Sequence, residues 1–210
     1  MLQHQDRQTL AYAWDQVFCA YWRRYPNPYS KHVLSEDVIQ RSVDKDGRLF
    51  TRKLLCKTNS APKWTERFLP SHIVYILEDS TVDIKAKTLT THTRNIGMKN
   101  FMTIDEEAIY KPHENNQSWT ITEKKVSVDS SFYGLSSAVK RFGLERYKQN
   151  IKKAYKGFNI TLESMYGAHK AKNSAPFNIV LKQNIKDGAT KASEFAKSKV
   201  PIVIAADDTQ

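Results

Sequence analysis

The sequence predicts an α+β domain in which a meander of antiparallel strands is followed by one long helix. Three observations predict it. Six runs rich in β-branched and aromatic residues succeed one another between residues 32 and 130, and most are joined by connections too short for anything but antiparallel neighbours. A single stretch from about Ser136 to Tyr166 carries apolar residues at steps of three and four. The 210 residues, 40% of them apolar, suffice for one domain with a sizeable core and a tail.

The first element is a short helix. "AYAWDQVFCAYWRRY" places Trp14, Val17, Phe18, Tyr21 and Trp22 at helical spacing, and Pro26 and Pro28 forbid continuation, so the helix is expected to end near Arg24. The strands follow as "HVLSEDVIQRSV", "GRLFTRKLLCKT", "HIVYILEDSTVD", "KTLTTHTRNI", "FMTIDEEAIYK" and "SWTITEKKVSVDS". One connection breaks the pattern of short turns. "NSAPKWTERFLPS", residues 59–71, is long and contains Trp64, Phe68 and Leu69, and an apolar loop of that kind is uncommon unless it covers something.

On the long helix, Tyr147, Ile151, Ala154, Phe158, Leu162 and Met165 form one apolar line that is expected to face the sheet. Arg146, Asn150 and Lys153 form a second line, about 110° around the helix from the first. Lys148, Lys152 and Lys156 occupy the opposite, solvated side. After Gly167 the chain becomes a Lys, Ala and Asn tail with weak periodicity, which divides the molecule into a domain over residues 1–167 and a tail over 168–210, partly helical or disordered.

Composition excludes several classes. The longest apolar runs are far shorter than the roughly 18 residues of a membrane span, and "MLQHQDRQTL" has neither an apolar signal core nor the character of an Arg-rich presequence, so a soluble chain without a secretory signal is expected. Cys19 and Cys56 are too few for a disulfide scaffold and lack metal-ligand spacing. Both read as buried thiols, and no metal or cofactor is expected. The net charge of +11 is concentrated, with eight Lys and Arg against two Asp and Glu in residues 131–170. Such a patch attracts polyanions, whether nucleic acid or an anionic membrane, and the field alone does not choose.

A sheet closing on one helix encloses either a solid core or a cavity. "RKLLCKT" bears on this, because Lys53, Leu55 and Lys57 share one face of the strand while Leu54 and Cys56 share the other. On a solvated strand that alternation is ordinary. Yet Arg24 lies at a helix end held by two prolines, and His32 opens the next strand. With Lys57, Arg146, Asn150 and Lys153 they are placed to surround one anion. Taken alone, His32 reads equally well as a strand-end histidine without a ligand, and Trp64 and Phe68 as plain core under a loop.

The runs "WDQVFCAYWRRYPNPYSKHVLSEDVI", "LLCKTNSAPKW", "TRNI" and "FGLERYKQNIKKAYKGF" resemble, in this order and over roughly residues 9–166, the PRELI-like family of mitochondrial intermembrane-space phospholipid transfer proteins, specifically its phosphatidic acid branch. The resemblance implies a START-like fold, a curved sheet of about seven strands gripping the C-terminal helix, with one phospholipid in a cavity under a lid loop. It implies transfer of phosphatidic acid between the mitochondrial outer and inner membranes to supply cardiolipin synthesis. It implies a partner too, a small helical hairpin with twin cysteine motifs. The implied headgroup residues fall on Arg24, His32, Lys57, Arg146, Asn150 and Lys153. Position 146 is arginine where relatives can have lysine, and the stretch before Thr9 is more polar than the family's usual first strand.

The chemistry of the residues agrees with that expectation. A phosphate monoester in a low-dielectric cavity needs several charge-assisted hydrogen bonds to offset its desolvation. The lid falls on residues 59–70, where Trp64, Phe68 and Leu69 are suited to insert at a bilayer interface while Lys63 and Arg67 attract anionic lipid. Two rival classes are a basic nucleic-acid-binding module and a START-like enzyme acting on an anionic apolar substrate. The basic helix carries no recognition motif and no aromatics interleaved with its cations, and no pattern supplies a base with oxyanion donors. The expected protein is therefore not an enzyme and has no nucleic-acid partner.

Overall fold

The computed structural model describes residues 1–58, 73–99 and 101–167. Seven antiparallel strands form one sheet: β1 (Leu2–Leu10), β2 (Val33–Val43), β3 (Leu49–Thr58), β4 (Ile73–Asp83), β5 (Thr88–Asn95), β6 (Thr103–His113) and β7 (Asn116–Asp129). Their spatial order is β1-β7-β6-β5-β4-β3-β2. The meander from β2 to β7 is thus continuous, and β1 returns to flank β7. Helix α1 (Trp14–Tyr21) joins β1 to β2, and helix α2 (Ser136–Tyr166) follows β7.

The strand absent from the six sequence runs is β1. "LQHQDRQTL" has almost no apolar alternation; it pairs with β7 over nine residues, with Asp6 opposite Lys124 and Arg7 opposite Glu123. Arg7 and Glu123 approach to 3.6 Å, an exposed pair that adds little to the backbone ladder. Strand β6 starts at Thr103, two residues later than its sequence run. The Phe101 and Met102 amides both donate to the Met98 carbonyl, at 3.0 Å each, and hold those residues in a turn.

Helix α1 is almost wholly buried because one side meets the sheet and another meets α2. Trp14 stacks on Phe18 at 5.5 Å and donates its indole N–H to the Tyr110 carbonyl at 3.1 Å. The helix stops at Tyr21 rather than Arg24, since the Arg23 amide turns back to the Ala20 carbonyl.

Helix α2 packs against α1 and the β1 and β7 side of the sheet through Val139, Ile151, Phe158 and Leu162. Ala154 departs from the expected apolar line and is exposed. It lies about 60° off the Ile151–Phe158 axis, toward Asn150 and Lys153. Lys148 departs in the other sense, being half-buried and paired with Glu145 at 2.8 Å. Cys19 is buried, whereas Cys56, on the convex face opposite Tyr75, is only half-buried; both are free thiols. No described helix is long and apolar enough to cross a membrane.

Candidate anion-binding groove

The corner between α1 and β2 is built by one asparagine. Asn27 donates from Nδ2 to the Arg24 carbonyl at 2.6 Å and accepts from the Tyr29 amide at 2.9 Å, while its own carbonyl accepts from the Ser30 amide at 3.0 Å. The Tyr25–Pro26 peptide is cis. Gly157 of α2 faces the Asn27 side chain so closely that a Cβ there would collide with its amide. The corner that carries Arg24 and His32 is therefore seated directly on the basic helix.

Arg24 enters a closed ionic cluster. Its Nη2 contacts both Glu78 oxygens, at 2.8 and 2.6 Å, and lies 3.4 Å from Glu36. Lys53 binds Glu36 at 2.7 Å, and the Tyr21 hydroxyl donates to Glu78 at 2.6 Å. The guanidinium also sits 3.9 Å from the centre of the Tyr21 ring. Two cations thus face two carboxylates. Burial alone would raise the Glu78 pKa, but Arg24, then Lys53, outweigh it and bring the carboxyl down to about 2. Burial, then the Arg24 charge, pulls Lys53 below the ordinary lysine range.

A second cluster is open and cationic. His32 is exposed as a residue, and its pKa is lowered first by the partial burial of its imidazole, then by the charges of Lys57, Lys153 and Arg146 in that order, so cations from two elements lie near one ring: β3 supplies Lys57, and α2 supplies Lys153, itself exposed, and Arg146. The Thr58 amide donates to the His32 carbonyl at 2.8 Å, fixing the end of β3 beside the histidine. Arg146 is half-buried, and burial lowers its pKa. Asn150 is exposed on the same side of α2, one turn from both Arg146 and Lys153.

Next to this cluster the concave face stays apolar but incompletely covered. Val33 and Val74 both flank Lys57 in register, Ile76 lies opposite buried Leu55, and Ile104 lies opposite buried Val128. All four are half-buried. Met102 joins them beneath Gly143 of α2. The arrangement is an apolar groove with cations along one border, suited to a ligand that is apolar over most of its length and anionic at one end.

Of the six residues predicted from sequence, the structure brings His32, Lys57, Arg146 and Lys153 together and sets Asn150 beside them. Arg24 belongs instead to the closed cluster, so its guanidinium is already bonded to carboxylates. Lys63, Trp64, Arg67, Phe68 and Leu69, the predicted lid, lie outside the described residues, as does the tail from residue 168. Sequence reasoning missed Glu36, Lys53 and Glu78. The alternation in "RKLLCKT" carried the signal for Lys53, which shares the face of buried Leu55. It also missed a second inward ion pair, Lys124 with Glu106 at 3.3 Å, where the Tyr147 hydroxyl donates to Glu106 at 2.6 Å.

A seven-stranded antiparallel sheet gripping a long C-terminal helix defines a START-like α+β domain. Among solved structures the fold is similar to TTHA0849 from Thermus thermophilus, with TM-score 0.55, 12% identity and coverage of 79% of this chain and 99% of that one. Ara h 8.0201 is similar at TM-score 0.51 and 11% identity, covering 78% and 98%. Residues 15–168 match the PRELI-like family. PRELI domain-containing protein 1, mitochondrial, from Homo sapiens is 43% identical over 191 residues, covering 90% of this chain and 84% of that protein. Its namesake from Gallus gallus is 49% identical, covering 76% and 75%. Protein UPS1, mitochondrial, from Saccharomyces cerevisiae is 33% identical, covering 79% and 95%. The chain belongs to the PRELI-like family.

Proposed function

We propose that this protein carries one phosphatidic acid molecule at a time between the outer and inner mitochondrial membranes, across the intermembrane space, and so supplies cardiolipin synthesis. It acts as a carrier and not as an enzyme. The observation that supports this reading is the convergence of His32, Lys57, Arg146 and Lys153 beside a half-buried apolar row. The acyl chains lie along Val74, Ile76, Met102 and Ile104, where each buried methylene contributes about 0.8 kcal/mol. The phosphate monoester, with more than one negative charge near neutral pH, takes the cationic border, and Asn150 adds a donor. Glu78 does not favour a catalytic reading, since Arg24 and Tyr21 already hold its carboxylate in the ionised form.

The apolar groove calls for cover when the lid opens, and a small helical-hairpin protein with twin cysteine motifs, forming a heterodimer with this chain, supplies it. Residues 63–69 act at the bilayer during exchange. The test is transfer of phosphatidic acid between two vesicle populations by wild type and Lys153→Glu. The variant loses transfer while its melting temperature stays unchanged. Normal transfer by a folded Lys153→Glu protein overturns the assignment of the headgroup site.

A further inference from the structure

Strand β7 and helix α2 are joined by "SSFYGL", residues 130–135, and this turn is firmly braced. The Ser130 hydroxyl donates to the Phe101 carbonyl at 2.6 Å, the Ser136 hydroxyl to the Ser130 carbonyl at 2.7 Å, and the Leu135 amide to the Phe132 carbonyl at 3.2 Å. Gly134 takes φ +74°, a conformation that L side chains rarely adopt. Within this rigid turn two neighbouring aromatics part company. Phe132 turns inward onto the Phe101 ring, 5.4 Å between centroids, and Tyr133 projects outward with 99% of its surface exposed.

The same end of the sheet carries further exposed apolar residues. Leu135 is 42% exposed, as is Ile96 in the neighbouring β5–β6 connection, and the Ile96 amide donates to the carbonyl of Tyr75, itself 45% exposed. Cations stand among them: Lys99 and Arg141 are exposed. The nearby carboxylate, Asp129, has Lys140 at 3.9 Å. This is the end of the sheet where β3 finishes at Lys57 and Thr58 and where β4 begins beside them, so the tip and the open border of the groove face the same way.

We infer that the end of the sheet led by Tyr133 is a docking surface for an anionic phospholipid bilayer. The inference rests on the carrier function proposed above and names the surface through which that carrier meets its membrane. A tyrosine ring places its body among the acyl chain ends and its hydroxyl among headgroups, and flanking lysine and arginine bind the anionic surface. A protein partner is a poorer fit, because the exposed residues of this end include the cations Lys99 and Arg141, whereas charged residues are depleted at the core of a protein interface.

Flotation of wild type, Tyr133→Ser and Tyr133→Trp decides it, with vesicles of phosphatidylcholine alone and of phosphatidylcholine with phosphatidic acid. Mass spectrometry of the phospholipid that copurifies with each protein is read in parallel. Wild type floats with the anionic vesicles in preference to the neutral ones. Tyr133→Ser weakens that association roughly tenfold and Tyr133→Trp restores it, while both variants copurify as much phospholipid as wild type. Equal flotation of wild type and Tyr133→Ser, or no flotation of wild type, overturns the docking surface. Unchanged flotation with lost capture of a protein partner overturns it in favour of a protein interface. A wild type that copurifies no phospholipid contradicts the carrier function instead, whatever its flotation.

Discussion

Two charge clusters flank the corner between α1 and β2, one buried and one largely exposed, and they are opposites. Around Arg24 the charges cancel: two cations meet Glu36 and Glu78, the hydrogen bonds are short, and the group is buried. Around His32 the charges add, with Lys57, Lys153 and Arg146 all disfavouring protonation of one imidazole. A fold gains nothing by gathering like charges, whereas an anion-binding site requires it. The contrast separates the buried charges that hold the domain together from the open ones that the proposed function assigns to a ligand.

The largest expected effect breaks the closed cluster. Glu78→Ala leaves Arg24 and Lys53 buried with one carboxylate between them and is expected to cost about 3–5 kcal/mol in chemical denaturation, the range seen when one partner of a buried pair is removed. A loss below about 1 kcal/mol, typical of exposed pairs, would place the cluster in solvent and erase the distinction. Gly157→Ala comes next. The added methyl meets Asn27, so the corner must shift, at about 1–3 kcal/mol. Because that corner carries His32, the substitution also slows transfer more than its stability loss alone accounts for.

Acid separates the clusters more gently. Glu78 has a folded pKa below its unfolded value, so its stabilisation is present above about pH 4.5 and is lost as pH falls toward 2. His32 also has a lowered folded pKa, so the folded state resists its protonation and loses stability as pH falls below about 6.5. Thermal melts across pH should show two steps down on acidification, and His32→Gln should remove only the upper one. An upper step that survives His32→Gln would assign it to another group.

The fold was legible wherever burial imposes a period. Helix α2 was expected from about Ser136 to Tyr166 and spans those residues, and the β2 to β7 runs sit within three residues of their strands. Strand β1 was not legible, because it pairs with β7 through its backbone ladder while its polar side chains leave no apolar alternation. In the site, the line Arg146, Asn150, Lys153 followed from helix geometry, and His32 and Lys57 from their strand ends. The state of Arg24 did not follow. Its partner Glu78 is 54 residues away, and a sequence shows where a cation stands but not which carboxylate the register places against it. Lys53 and Lys57 look alike in "RKLLCKT", and the positions of Glu36 on β2 and Glu78 on β4 distinguish the neutralised lysine from the other.

The central claim is that the His32 cluster takes the anionic headgroup. The most direct measurement is an NMR titration of the His32 ring, without ligand and with short-chain phosphatidic acid. Without ligand the imidazole titrates below the ordinary histidine value of about 6.5. A bound phosphate offsets the charges of Lys57, Lys153 and Arg146, so the account predicts that phosphatidic acid raises the His32 pKa and that uncharged diacylglycerol does not. A His32 pKa that stays the same when phosphatidic acid is demonstrably bound would contradict the account and place the headgroup elsewhere in the domain.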